Sequence, residues 1–270
     1  MGLFEAILLG AVQGLTEFLP VSSSAHLILV RLMFGWDADR LGMAFDVACH
    51  VGTFLAVVAY YWRDLLAMAA ALPRLFSRRA DGAARTMQLI AIGTLPVVAV
   101  GLSVAGIEEQ LRTPAVAATT LALGALVFFW VERVGTQTRD AAALTGGEAA
   151  GIGVAEALAL VPGVSRSGAT ISCGLWLGLT RASAARFSFL LGIPAIMAAA
   201  GHEGLHLAKA GLTAADVEVF AAGMATSAIV GYLGIKFFLK YIANHSLSAF
   251  AWYRLVAAAL VVAWWMAGRG

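Results

Sequence analysis

The run Gln13-Gly14-Leu15-Thr16-Glu17-Phe18-Leu19-Pro20-Val21-Ser22-Ser23-Ser24-Ala25-His26 sets a carboxylate, an amide, three serine hydroxyls and an imidazole inside a chain otherwise apolar enough to sit in lipid. A charge at the centre of a spanning helix costs roughly 2.5–3.5 kcal/mol on insertion scales, so a polar cluster in such surroundings marks a functional site by default. Pro20 lacks an N–H and biases Leu19 away from helical geometry, so the apolar run over residues 3 to 34 breaks near Pro20 to Ser24. Each half is then too short to cross about 30 Å of hydrocarbon as helix.

Working outward, the composition explains why that break matters. Of 270 residues, 61% are hydrophobic and 13% charged, and the mean hydropathy is +0.86, against about 45–50% apolar residues in soluble domains. The chain reads as an integral membrane protein with one membrane domain over 1–270. A net charge of +2 is too small to suggest a nucleic-acid partner. Cys49 and Cys173 lie in apolar runs and read as small buried thiols. The start, Met1 to Ala6, has no basic segment and no myristoylation pattern, so the first apolar run is expected to belong to the fold.

Apolar segments near 43 to 62, 88 to 107, 115 to 131, 186 to 202, 217 to 239 and 250 to 267 predict six transmembrane helices. Residues 150 to 180 form a second interrupted run, broken at Pro162 to Gly168. Irregular backbone at membrane depth is tolerated only where protein or a wet cavity surrounds it, so both interrupted runs are expected as re-entrant helix-turn-helix hairpins. The connection with Arg63, Arg74, Arg78, Arg79 and Arg85 is the most basic and is expected in the cytoplasm. Alternation then puts Glu108, Glu109 and Arg112 outside, Arg133 and Arg139 inside, Arg181 and Arg186 inside, His202 to Asp216 outside, and Lys236, Lys240 and His245 inside. Both termini fall outside, with the hairpins entering from opposite faces.

Two halves in opposite orientations predict internal symmetry. A shift of 143 aligns Gly10 with Gly153, Gln13 with Glu156, Val21 with Val164, Ser22 with Ser165, Ser23 with Arg166 and Ser24 with Ser167. The expected fold is therefore all-α, with inverted-topology repeats over about 1–135 and 146–270, an architecture of many secondary transporters.

The residue types at the two breaks suggest the chemistry. Gln13 and Glu17, spaced i, i+4, share a helix face. Ser22, Ser23 and Ser24 open the following helix, where hydroxyls suit an N-cap and free backbone N–H groups suit an anion, with His26 in the first turn. The second break reads Pro162-Gly163-Val164-Ser165-Arg166-Ser167-Gly168-Ala169-Thr170. A forked guanidinium among hydroxyls and glycines suits phosphate. Glu156 is the carboxylate expected to pair with Arg166 if that arginine is only structural. Tip to tip, the breaks hold a phosphate clamp beside a hydroxyl, an imidazole and a carboxylate, a constellation for phosphoryl transfer. The apolar walls suggest a lipid-linked phosphate entering from the bilayer.

These two motifs resemble those of the bacterial undecaprenyl-diphosphate phosphatases, also called bacitracin-resistance proteins, and the resemblance covers nearly the whole chain. It implies removal of the terminal phosphate of undecaprenyl diphosphate at the outer face of the inner membrane, recycling the carrier lipid of peptidoglycan synthesis. It also implies six spans, two re-entrant hairpins, and dimers in many members. Carried onto this chain, it puts the catalytic group on Glu17, Ser23, His26 and Arg166, and substrate contacts on Ser22, Ser24, Ser165, Ser167 and Thr170. A divalent cation, Mg or Ca, would be held by Gln13 and Glu17; Gln13 departs from the members that have Glu there, one formal charge fewer. Ser23 is the favoured nucleophile and His26 its rival. His50, i+4 from Asp46, reads equally as part of a polar network or as a core histidine. A transporter or flippase of lipid-linked phosphate is the main alternative function, and a structural membrane subunit a distant third.

Overall fold

The computed structural model describes residues 2–36, 42–77, 80, 82–104, 108–210 and 213–268. The side chains of Arg78, Arg79, Glu108, Glu109 and His202, on which part of the orientation reading rests, lie outside them. In chain order the helices are α1 (Leu3–Phe18), α2 (Ser23–Phe34), α3 (Gly42–Tyr60), α4 (Trp62–Ala71), α5 (Gly82–Val104), the one-turn α6 (Glu108–Leu111), α7 (Pro114–Val134), α8 (Gly146–Leu158), α9 (Arg166–Trp176), α10 (Arg181–Ala210), α11 (Ala214–Ile242) and α12 (Ser248–Ala267).

Polarity is arranged inside out. Outward positions carry Leu126, Val256, Leu260 and Trp264, whereas Gln13, Thr16, Glu17, Asp46, Glu156, Ser167 and Arg254 are buried. Water would drive the opposite arrangement, so the outer apolar surface belongs against lipid. Among the described residues four helices are long and apolar enough to cross a membrane: α5, α7, α11 and α12. A fifth span arises if α3 and α4, bent by 76° at Tyr61, count as one. The protein is thus all-helical and multi-pass. The sixth expected segment, 186 to 202, lies in the 30-residue α10, which contains Pro194.

Both interrupted runs break where the prolines predict, between α1 and α2 and between α8 and α9. Their packing is reciprocal. The first helix of the first pair, α1, lies against α11, and the first helix of the second, α8, lies against α5. Glycine allows each close approach: a Cβ at Gly10 would meet the Gly223 carbonyl oxygen at 2.5 Å, and one at Gly153 the Gly93 carbonyl oxygen at 1.9 Å. These glycines are two that the 143-residue shift aligns.

Candidate active site

The two breaks share an unusual backbone. Ser22 has φ 74° and ψ 98°, Ser165 φ 72° and ψ 111°, a region costing a non-glycine residue roughly 1–3 kcal/mol. Each serine N-caps the following helix: Ser22 Oγ accepts from the Ala25 N–H and Ser165 Oγ from the Gly168 N–H. Each also lies near the second hydroxyl of its motif, Ser24 at 3.2 Å and Ser167 at 3.4 Å.

The breaks meet. The Gly163 N–H donates to Ser24 Oγ at 3.3 Å, and Ser167 Oγ donates to the Glu17 and Leu19 carbonyl oxygens. Arg254, in α12, holds both ends. Its side chain is fully buried, and its guanidinium donates to the carbonyl oxygens of Pro20, Gly163, Val164, Thr120 and Leu121 at 2.9–3.3 Å. Gly124 leaves room for it, since a Cβ there would lie 2.1 Å from Nη2. Sequence reasoning passed over Arg254, although a basic residue within an apolar segment was itself a signal.

Between the breaks lies a cavity of about 250 Å³ lined by Glu17, Ser22, Ser23, Ser24, His50, Glu156, Ser165 and Arg166. Glu17 is its hub. Oε2 accepts from Ser23 Oγ at 2.8 Å and from Gln13 Nε2 at 3.0 Å; Oε1 accepts from Arg166 Nη2 at 3.0 Å. His50 Nε2 stands 3.5 Å from Oε2, while its Nδ1–H donates to the Asp46 carbonyl oxygen. His50 therefore joins the polar network. The Asp46 carboxylate does not pair with it, being held instead by Arg31 and Arg112.

Three expected residues stand elsewhere. Ser167 is turned to the backbone of the first break, and the Thr170 hydroxyl donates to the Arg166 carbonyl oxygen and meets Ser188. Both are buried and neither lines the cavity. Ser167, one residue after Arg166, is turned about 100° round the helix from it. Thr170, at i+4, shares its side of α9 but lies one turn further along, its hydroxyl already taken up. His26 also lies off the cavity. Its Nδ1–H donates to the Ser22 carbonyl oxygen and its Nε2 accepts from the Tyr253 hydroxyl, both at 2.7 Å, with the two rings stacked. The Arg166–Glu156 pairing expected of a purely structural arginine is present only as a long ion pair. The hydrogen-bonded carboxylate is Glu17, across the two breaks, and Glu156 stands 3.9 Å from Nη1.

Gln13 and Glu17 do not fit a divalent cation as they stand. Hard cations want converging oxygens, whereas both Glu17 oxygens already accept N–H or O–H groups, one of them from a guanidinium. Among the described residues the buried oxygens without a hydrogen-bond partner are Gln13 Oε1 and the two of Glu156, with the Tyr61 and Ser172 hydroxyls away from the cavity. Among the described residues no group of three His, Cys, Asp or Glu side chains is gathered to hold a metal. A larger groove of about 780 Å³, between α7 and α12, is lined by apolar side chains such as Leu126, Ala258 and Val262, with Thr119 its one hydroxyl.

A hydroxyl, a carboxylate and a guanidinium thus form one hydrogen-bonded chain along the cavity. The chain matches the family model described as bacitracin resistance protein BacA over residues 6–260. It is similar to the undecaprenyl-diphosphatase of Rubrobacter xylanophilus, 48% identical over 265 residues and 97% of each chain. The undecaprenyl-diphosphatase of Pelobacter propionicus is 42% identical over 266 residues, again 97% of each chain. Undecaprenyl-diphosphatase 2 of Stutzerimonas stutzeri is 45% identical over 271 residues, 97% of this chain and 98% of that one.

Proposed function

The chain belongs to the bacitracin resistance protein BacA family, and from that premise we propose that it hydrolyses undecaprenyl diphosphate to undecaprenyl phosphate and inorganic phosphate. One observation carries the assignment of roles: Ser23 Oγ donates to Glu17 Oε2 at 2.8 Å while Gln13 Nε2 holds the same carboxylate at 3.0 Å. A nucleophile bonded to its base, with the base oriented by a third group, is the signature of an activated hydroxyl.

In this reading Arg166, with Ser22, Ser24 and Ser165, grips the diphosphate. Ser23 Oγ attacks the terminal phosphorus and its proton passes to Glu17. The bond to the bridging oxygen breaks, and the leaving lipid phosphate takes that proton. Water then attacks the phosphoserine, giving a proton to Glu17 that returns to Ser23 Oγ, and inorganic phosphate leaves. His26, its Nε2 occupied by Tyr253, supports the Ser22 turn from outside the cavity. No step runs through a metal ion.

The cavity is smaller than the roughly 300–1,000 Å³ that encloses a whole drug-sized ligand, so it suits the headgroup while the polyprenyl chain stays in the bilayer. The reciprocal packing of α1 on α11 and α8 on α5 supports re-entrant hairpins in two inverted repeats, about 1–135 and 146–270, forming one domain with six spans. The basic connections support placement in the bacterial inner membrane with the site open to the outer face. A homodimer follows from the family resemblance alone.

Detergent-purified protein is expected to release inorganic phosphate from a polyprenyl diphosphate, with no gradient present. Binding without release would instead support a carrier of lipid-linked phosphate, the reading that the paired broken helices otherwise favour. A chelator arm reports on the cation. Activity that persists leaves charge neutralisation to Arg166; activity restored only by Mg or Ca assigns an ion to the free oxygens of Gln13 and Glu156.

A further inference from the structure

Arg166 sits with most of its hydrogen-bonding capacity unused. A guanidinium has five N–H donors; here Nη2 serves Glu17, while Nε and Nη1 are buried without a hydrogen-bond partner. Opposite Nη1 stands Glu156, 2% exposed, with neither carboxylate oxygen accepting a hydrogen bond. Their separation of 3.9 Å is an ion pair too long for a hydrogen bond. Unsatisfied buried polar atoms facing one another across a cavity edge are costly to leave unmade. The guanidinium lies directly on Gly192, where a Cβ would stand 1.4 Å from Nη1. No side chain from α10 therefore comes between Nη1 and its surroundings, and a small turn of the guanidinium closes the gap.

The chemistry above needs such a movement. Glu17 cannot accept the Ser23 proton while Arg166 holds it without breaking an ion pair. A diphosphate draws the guanidinium away from Glu17, and a second carboxylate that receives the turned guanidinium makes the exchange favourable. We propose that Glu156 is that positioning residue, the carboxylate to which Arg166 turns when substrate takes it off Glu17. In the complex Nη1 donates to Glu156, Nη2 and Nε face phosphate oxygens, and Glu17 is left to Ser23. Glu156 occupies the position that the 143-residue shift aligns with Gln13. The two repeats thus place an amide beside the base and a carboxylate beside the clamp.

This rests on the phosphatase reading, and its test separates the two. The full chain is purified in detergent as wild type, Glu156→Gln and Glu156→Asp, with thermal unfolding as the folding control. Steady-state hydrolysis of farnesyl diphosphate and binding of its methylene-bridged diphosphonate analogue are both measured. Glu156→Gln keeps the shape and removes the charge. It is expected to raise the analogue Kd and lower kcat/KM about tenfold, the size of one lost charge-assisted hydrogen bond. No loss in thermal midpoint is expected, because neither Glu156 oxygen accepts a hydrogen bond in the free protein. Glu156→Asp recovers part of both. A purely structural Glu156 would lower the thermal midpoint and leave kcat/KM and Kd of the folded protein unchanged. Unchanged kcat/KM and Kd in Glu156→Gln, or a tighter analogue Kd, overturns the proposal. If the wild type releases no phosphate, the phosphatase reading fails, and the binding arm alone decides. Weaker analogue binding by Glu156→Gln at an unaltered thermal midpoint then sustains the second holder, and unchanged or tighter binding overturns it.

Discussion

The two breaks are the same piece of backbone carrying different chemistry. Ser22 and Ser165 adopt nearly the same left-handed-side conformation and cap the next helix in the same way. At the next position the first break has Ser23 and the second Arg166. Shared geometry explains why the strain is tolerated twice: it turns the first residue of each following helix towards one cavity. Divergent side chains distinguish the two halves of the cavity, since one supplies a hydroxyl and the other a cation.

The comparison breaks most visibly at its divergent positions. Arg166→Ala removes the clamp and is expected to lower phosphate release by about a hundredfold or more, with an unaltered elution profile on gel filtration. Near-normal turnover would return the second break to a structural role. Ser23→Ala should abolish a trapped phosphoenzyme that His26→Ala retains; the reverse pattern makes His26 the nucleophile. Arg254→Met tests what the halves share. It leaves five carbonyl oxygens from the breaks and α7 without their donor, and buried unsatisfied groups cost about 1–3 kcal/mol each before water or rearrangement relieves them. A lower thermal midpoint together with lower kcat is expected, and a loss of stability alone would confine Arg254 to packing.

The smallest effect concerns the loop leading into the second half. Arg139 donates two hydrogen bonds to Glu148, and with the Thr145 N–H holds its carboxyl at about 2. A carboxylate depressed by folding stabilises the native state above its unfolded value, and that contribution disappears as pH falls towards 2. The pair is partly solvent-exposed, and screening by water keeps its contribution small, so Glu148→Gln should lower the thermal midpoint at neutral pH only slightly. Between pH 5 and pH 3 the variant should lose less stability than the wild type.

Much of this was legible along the chain because local chemistry enforces it. Pro20 and Pro162 end their helices, Ser22 and Ser165 cap the next ones, and Glu17, Ser23 and Arg166 stand out against apolar neighbours. What stayed hidden depends on which distant helices meet. Glu17 rather than Glu156 takes the Arg166 hydrogen bond because α9 approaches α1 across 149 residues. Tyr253 and Gly192 look like ordinary span residues until α12 and α10 bring them against His26 and Arg166. Ser167 belongs to the right motif but is turned away by one step of the helix, and Thr170, on the same side as Arg166, lies a turn further along with its hydroxyl taken up by the Arg166 carbonyl oxygen and Ser188.

The most direct measurement is a structure of the protein with a methylene-bridged polyprenyl diphosphonate bound. The account predicts the terminal phosphonate between the two breaks, hydrogen-bonded to Arg166 and with its phosphorus facing Ser23 Oγ, while Glu17 keeps Ser23 and has released Arg166. A headgroup held by one break alone, or lodged at Arg31 and Arg112 with Arg166 still on Glu17, would contradict it.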